Sequence, residues 1–552
     1  MLNTEVLIVG GGPVGLALAC ELGWRGVDCL LVEQNPEYGE EPVPKINLVN
    51  VRSMEFCRRW GIELEVRHGG FPDDYPMTVQ FLTSLRGKLI ARLPYESMSE
   101  QPELPFSPTR RQRIPQGLID PIMRRAAQRF ESVRAQFQAR LESFVDRGSH
   151  VEAEIADLRS GARRQVSARY LAACDGGHSM VRDALAIPLR GDKAISYSCG
   201  FYFRCPSLWR LHDKGKAIMN ILVDRNGMWA NLNMIDGFKT WRLSMIGGDR
   251  YIPPSEIDLP GLMRRMMGDD AAFDYEIVGV SPWVRRAVVA ETYRKGNCFL
   301  VGDSAHQLSP TGGFGMNTGF GDAVDLGWKV EASLRGWGGE TLLDSYDAER
   351  RPIGERNVAE ATSNFRNIRD LPTYPWIDAD GPEADAQRAV LGERFKAITR
   401  REWDSYGVQL GYRYAGSPLI VPDGSDPPVD DPSDYVQTAF PGARAPHAWL
   451  APGCSTIDLF GRGFTLLDLG AGAGTVERLQ RAAQTAGAPL AVHRIERLDV
   501  SGLYERKLVL VRPDGHVAWR GDEPPDDPLA LLATVTGQAG VTAMPETVEA
   551  AT

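Results

Sequence analysis

The stretch that most constrains this chain is residues 4–34, TEVLIVGGGPVGLALACELGWRGVDCLLVEQ. Glu5 to Val9 reads as a short buried parallel strand, and Leu16 to Trp24 predicts a helix. Val27 to Val32 reads as a second strand that ends at Glu33. Between strand and helix, Gly10, Gly12 and Gly15 fit G-x-G-x-x-G, with Pro13 inside the turn. Gly10 makes the turn, Gly12 admits a pyrophosphate, and Gly15 lets helix and strand approach. Glu33 follows about twenty residues after the turn, where an acid accepts from a ribose 2′-hydroxyl. A lone glycine turn is a weak signal. Here strand, turn, helix, second strand and acid are in register, which implies an α/β chain with a dinucleotide site for FAD or NAD rather than NADP.

The rest of the composition bounds the partners. With 552 residues the chain exceeds a single core, so two or three domains are expected. The formal net charge is −10, and no long Lys/Arg block occurs, which argues against nucleic acid or an anionic membrane as a partner. The eight cysteines form no CxxC pair, so neither a disulfide framework nor a zinc site is expected, and no metal is implied. No basic leader precedes the first apolar run, and no apolar span is long enough to cross a bilayer. A cytoplasmic location is the expectation.

Two further glycine-marked segments narrow the ligand. YLAACDGGHSMVRDAL (170–185) is an apolar strand ending in Asp175-Gly176, followed by a predicted helix carrying Arg182. GNCFLVGDSAHQLSPTGGFGMNTGFGDAVDLGWKV (296–330) is a strand ending in Gly302-Asp303, a loop of small residues, and a helix. These three segments in this order, with LLDSYDAERRPIG at 342–354, resemble the single-component FAD-dependent aromatic hydroxylases, the group A flavoprotein monooxygenases. The resemblance covers roughly residues 1–360.

The resemblance implies roles at matching positions. Asp303 would bind a ribityl hydroxyl of non-covalent FAD. Gly313 and the helix start at Gly315, Met316 and Asn317 would face the isoalloxazine ring, and the Pro310 carbonyl would lie near the substrate. Backbone N–H groups and a helix N-terminus suit the negative charge that reduced flavin gathers. Arg52 resembles an arginine near the FAD phosphates, and Gln116 a glutamine on the ribityl chain. The family has Glu four residues after that glutamine where this chain has Asp120. It also has Pro at Ser309 and Asn at Asp325. His306 reads as a packing or capping residue rather than a base.

Residues 188–285 change character. GKAIMNILVDRNGMWANLNMI reads as two alternating strands about the hairpin turn Arg225-Asn226-Gly227. An antiparallel sheet there would cover one flavin face, with strands from residues 76–105 added. Period two puts Trp229, Asn231 and Asn233 on one face, which is either a pocket wall or a solvent face. Tyr202 and Arg242 are further substrate candidates. Residues 401–446 read as a connecting segment and Pro/Asp-rich linker. FTLLDLGAGAGT (464–475) mimics a methyltransferase loop, but too few residues follow for that sheet. Residues 447–552 resemble the thioredoxin-like domain that follows phenol-type hydroxylases, without its redox cysteines, and a structural or homodimer-forming role is expected.

The expected fold is therefore α/β: a discontinuous Rossmann-like FAD domain (1–75, 106–187, 286–400), an inserted antiparallel-sheet substrate domain (76–105, 188–285) and a thioredoxin-like C-terminal domain. The expected activity is hydroxylation of a phenolic substrate with NADPH or NADH and O2, through a flavin C4a-hydroperoxide. No second G-x-G-x-x-G suitable for NAD(P)H occurs, as fits this family. The alternatives are a tailoring oxygenase, by epoxidation or Baeyer–Villiger chemistry on a polyketide or other natural product, and a flavin-binding protein without turnover.

Overall fold

The computed structural model describes residues 2–37, 48–269 and 273–538. They divide into two units. One comprises 1–323, 351–410 and 431–435, and the other 324–350, 411–430 and 436–552.

The first unit holds two eight-stranded sheets. Five strands of one run parallel, in the order Cys298–Leu300, Arg163–Ala173, Leu2–Val9, Cys29–Glu33, Val133–Phe137. Val6, Leu7 and Ile8 are buried, as are Leu30, Leu31 and Val32, so these strands read as unbroken apolar runs rather than alternating ones. Pro13–Arg25 is the crossover helix. Pro13 fills its first turn without losing a bonded N–H, and Gly26 ends it in a left-handed conformation at φ +72°. Gly15 is required by packing: a Cβ there would lie 1.9 Å from the Gly10 oxygen. Because the strands are parallel, their C-terminal ends share one edge. Gly10, Glu33, Asp175 and Asp303 all stand at that edge, where ligands of open α/β sheets bind.

The second sheet is antiparallel apart from one parallel pair. Its order is His306–Gln307, Glu276–Ala290, Leu189–Arg204, Thr240–Met245, Gly227–Met234, Met219–Asp224, Val79–Leu82, Leu89–Leu93. Phe81, Phe201, Phe203, Trp241 and Leu243 pack with Met263, Met266 and Met267 of the helix Leu259–Met267 in one core. Full burial contributes about 1.5–3 kcal/mol for each such side chain. In the strand Gly227–Met234, Met228, Ala230 and Leu232 are buried and Trp229 and Asn231 half-buried, as alternation expects, while Asn233 is buried as well. The ladder runs Leu222↔Ala230 and then Val223↔Met228, so a β-bulge skips Trp229. Its ring lies under the Arg265 guanidinium at 3.9 Å.

The second unit contains a four-stranded sheet in the order Leu490–Arg494, Phe464–Asp468, Leu508–Val511, Val517–Gly521. The first pair is parallel and the other two antiparallel, with helices Ala473–Thr485, Leu498–Tyr504 and Pro528–Val535 between and after the strands. That is the thioredoxin-like arrangement. The segment read as a linker carries packed residues: Leu419, Ala439, Arg444 and Ala445 are buried. This unit also buries a charge cluster. Arg512 donates to Glu349 Oε1, Asp325 Oδ1 and Asp514 Oδ2 at 2.5, 3.1 and 2.7 Å, and Lys329 Nζ reaches Asp325 Oδ2 and Glu349 Oε2 at 2.7 and 2.5 Å. Asp325, where the family has Asn, is here a counter-charge to two buried cations. No helix of the described residues is long and apolar enough to cross a membrane.

Candidate functional site

The strand ends of the parallel sheet open into a cleft of about 910 Å³. This is a size typical of small-molecule sites. Gly10, Gly12, Pro13, Glu33, Gln116, Asp175, Gly176, Asp303, Pro310, Gly313, Gly315 and Met316 line it, and so does Arg242 of the second sheet.

Backbone geometry explains the bare loops. Gly10 has φ +104°, and a Cβ there would lie 2.3 Å from the Cys174 oxygen, so the turn needs glycine for the fold itself. Gly12 differs. Its φ and ψ are −71° and 179°, which any residue adopts, yet a Cβ would meet nothing within 4 Å. Gly315 is equally open. Packing asks for no glycine at either position, whereas a ligand approaching backbone N–H groups does. At the rim, Gly11 N–H donates to Glu33 Oε2 at 2.6 Å, and Asn35 donates to Glu33 Oε1 from N and Nδ2 at 2.8 and 2.7 Å. Asp175 accepts from Val181 N–H through Oδ2 at 3.1 Å, while its buried Oδ1 has no partner. Burial raises its carboxyl above the usual range. An orphaned oxygen beside an open glycine cradle fits a hydroxyl- and phosphate-bearing ligand such as FAD.

Asp303 stands exposed in the single turn Gly302–Ser304. Gly302 (φ +65°) does not line the cleft but fixes that turn: its N–H donates to Asp322 Oδ2 at 3.1 Å, and the same oxygen lies 2.7 Å from His306 Nε2. Both His306 and Asp322 are fully buried, so His306 braces the Asp303 turn instead of facing the cleft.

Gln116 opens the helix Gln116–Gln128 and donates through Nε2 to Asp120 Oδ2 at 3.1 Å, so the shorter acid still reaches it. Burial pushes the Asp120 carboxyl up to about 6. Asn317 sits behind the lining. It accepts from Asn50 N–H at 2.9 Å and donates to Leu48 O and Gly313 O at 3.1 and 2.7 Å, clamping loop to helix. Arg52 lies outside the lining: it pairs with Glu55 at 2.8 Å over the Phe56 ring. Trp229, Asn231 and Tyr202 are not lining residues either. Asn231 accepts from Asn233 Nδ2 at 2.8 Å, and the buried Tyr202 hydroxyl accepts from Arg242 at 3.5 Å.

Several partners had no local signal. Arg285 donates to Ser309 Oγ at 2.9 Å and Ser196 Oγ at 2.7 Å, with Phe365 under its guanidinium at 3.8 Å. Gly312 N–H donates to Glu402 Oε1 at 3.2 Å, and burial raises that carboxyl. These two contacts hold the 309–313 loop from behind, and Ser309 serves as an anchor where the family has Pro.

Comparison with known proteins agrees with this geometry. Residues 3–361 match the family described as "FAD binding domain", and residues 438–539 match "Aromatic-ring hydroxylase, C-terminal". The chain is 32% identical to FAD-dependent monooxygenase apdD of Emericella nidulans, over 94% of this chain and 87% of the relative. It is also 32% identical to tetracenomycin B2 monooxygenase-dioxygenase of Streptomyces olivaceus, over 96% and 97%. Among solved structures, RebC soaked with chromopyrrolic acid and holding 7-carboxy-K252c superposes with a TM-score of 0.91 at 39% identity, over 98% of this chain and 100% of that one. The chain belongs to the FAD-dependent aromatic-ring hydroxylases.

Proposed function

We propose that this monooxygenase takes electrons from NADPH or NADH and places one oxygen atom of O2 on an aromatic substrate held between the Pro310–Met316 loop and the second sheet. The observation that carries the reading is one cleft walled by Gly10, Glu33, Asp175 and Asp303 at the strand ends, by the Pro310–Met316 loop, and by Arg242. When bound, FAD supplies the redox and oxygen-activating chemistry. The protein supplies placement. Gly12 and the first turn of Pro13–Arg25 present N–H groups to the pyrophosphate. Glu33 accepts from the adenosine ribose, and Asp303 with Gln116 from the ribityl chain. N–H groups of Gly315 and Met316, at the positive end of the helix Phe314–Leu334, stabilise charge that gathers on the ring in the reduced state. The Pro310 carbonyl orients the substrate. No second G-x-G-x-x-G is present for the nicotinamide, and Gly313 and Gly315, which line the cleft, would keep side chains away from the ring.

Rapid mixing at about 450 nm, where oxidised flavins absorb, tests this reading. A correct aromatic compound is expected to speed flavin reduction by NADPH or NADH. Equal rates with and without every aromatic compound tried, with no oxygenated product, would favour a flavin-binding protein without turnover.

A further inference from the structure

Pro310 stands exposed at the cleft between two buried neighbours, Ser309 at 1% and Thr311 at 7%. Its carbonyl accepts from Gly313 N–H at 3.1 Å, which closes a turn over 310–313. Gly312, third in that turn, has φ +87°, as a type II turn requires. Three distant elements pin this turn. Arg285 of the strand Glu276–Ala290 donates from Nε to Ser309 Oγ at 2.9 Å and from Nη1 to Ser196 Oγ at 2.7 Å. Ser309 Oγ lies 2.6 Å from Thr311 Oγ1, and Thr311 donates to the Ala361 carbonyl of the helix Glu340–Arg369 at 2.7 Å. Gly312 N–H donates to Glu402 of the helix Pro382–Trp403 at 3.2 Å.

The proton directions in this chain of groups are forced. A guanidinium only donates, a carbonyl only accepts, and each hydroxyl has one proton. Thr311 gives its proton to Ala361, so it accepts from Ser309, and Ser309, which accepts from Arg285, donates onward. The bonds therefore run one way, from a buried cation through two hydroxyls to a helix carbonyl. Bonds aligned in this way polarise one another, and the charged donor at the head strengthens them. They bracket Pro310 by holding the residue before it and the residue after it. We propose that Arg285, Ser309 and Thr311 are positioning residues that set the Pro310 carbonyl against the substrate ring, and so set the share of turnovers that end in oxygenated product. The inference rests on the hydroxylase reading above and adds to it the residues that make the substrate contact rigid. One lone pair of the carbonyl is taken by Gly313 N–H, and the second is left for a substrate hydroxyl. A misplacement of about 1 Å costs on the order of a hundredfold in rate. In a turnover that misses the ring, the two electrons of NAD(P)H and two protons leave on O2 as hydrogen peroxide.

The experiment uses the FAD-loaded enzyme with NADPH or NADH and a set of probes, phenol, catechol, 1-naphthol and 1,8-dihydroxyanthraquinone, and follows the probe that yields most product. The ratio of oxygenated product to hydrogen peroxide is measured in Ser309→Ala, Thr311→Val and Thr311→Ser. Valine keeps the branched shape of Thr311 without its hydroxyl, and serine keeps the hydroxyl. The ratio is expected to fall by at least about fivefold in Ser309→Ala and Thr311→Val, the measure of one ordinary hydrogen bond, and to stay within about twofold of the parent in Thr311→Ser. FAD affinity should be unchanged in all of them. In the apoprotein, hydrogen exchange of a peptide covering 308–314 should quicken in Ser309→Ala and Thr311→Val and not in Thr311→Ser.

A ratio unchanged in either Ser309→Ala or Thr311→Val, or one that falls as far in Thr311→Ser as in Thr311→Val, would overturn the proposal. A lower melting temperature or weaker FAD binding with the ratio unchanged would also overturn it, since the hydroxyls would then serve only the fold. If Ser309→Ala does not fold, the two Thr311 variants decide alone. If the parent oxygenates a probe and the variants keep its ratio, the hydroxylase reading stands and only the positioning role falls. A parent that yields only hydrogen peroxide with every probe would take both down together.

Discussion

Replacing Gly12 by Val separates folding from cofactor binding at one atom. Gly12 caps Pro13–Arg25 at φ −71° and ψ 179°, a conformation open to valine, and its Cβ would enter empty space. Stability should therefore change by no more than about 1 kcal/mol, the usual range for a substitution that meets no packed atoms. The neighbouring glycines behave otherwise. A Cβ at Gly15 would overlap the Gly10 oxygen at 1.9 Å, and at Gly10 the Cys174 oxygen at 2.3 Å, both backbone atoms that cannot move aside cheaply. Gly15→Val should yield little folded protein. Under the proposed assignment, the space that Gly12→Val fills is the space a pyrophosphate would need to reach the helix N-terminus. Losing one or two charge-assisted N–H contacts, at about 1.5–3 kcal/mol each, weakens FAD by roughly 10- to 10⁴-fold. The assay is paired: a circular-dichroism melt of the apoprotein, and a titration of FAD fluorescence quenching. Gly12→Val should melt like the parent and purify colourless. A variant that retains FAD with parental affinity would refute the pyrophosphate assignment. One that fails to melt cooperatively would refute the claim that packing leaves the position free.

Asp303→Ala should raise the FAD dissociation constant by about 10- to 150-fold, since a carboxylate–hydroxyl hydrogen bond contributes roughly 1.5–3 kcal/mol, and an unchanged constant would remove the ribityl role. Arg512→Leu strips a shared cation from Asp325, Glu349 and Asp514, all essentially buried, and should cost about 3–5 kcal/mol in denaturant unfolding; a loss below about 1 kcal/mol would show that Lys329 alone neutralises the cluster. In the apoprotein, Asp120 has its carboxyl raised to about 6, so the folded state holds its proton after the unfolded chain has released it. Stability from this group is therefore lost as pH rises from about 4 to 6, by at most about 3 kcal/mol. Asp120→Asn should flatten that slope, and an unchanged pH profile would contradict the assignment.

What was legible in the sequence was what a ligand or a turn imposes locally. Gly10, Glu33, Asp175 and Asp303 each close a short apolar run, and a parallel sheet gathers such ends on one edge, so their convergence follows once the strands are recognised. The hairpin at Arg225-Asn226-Gly227 was readable for the same reason. Partners from distant segments were not. Nothing near Gly312 announces Glu402, and nothing near Ser309 announces Arg285, because those contacts depend on how helix and sheet pack. Trp229 keeps the expected alternation, but its ring lies under Arg265 of a later helix and outside the cleft lining, which nothing near it in the sequence announces. Arg52 resembles a phosphate ligand in sequence, yet Glu55 three residues on, within the same helix, pairs with it. Asp325 looked like a departure from the family at the flavin helix, and its meaning came only with Arg512, far along the chain.

The central claim is that this cleft moves one oxygen atom from O2 to an aromatic ring. Turnover of FAD-loaded enzyme with NADPH or NADH under isotopically labelled 18O2, with the aromatic compound that binds most tightly, tests it directly by mass spectrometry of the product. The account predicts a product carrying a single 18O atom from the gas and none from water. Consumption of NAD(P)H that yields only hydrogen peroxide with every bound aromatic, or a product whose new oxygen comes from water, would contradict it.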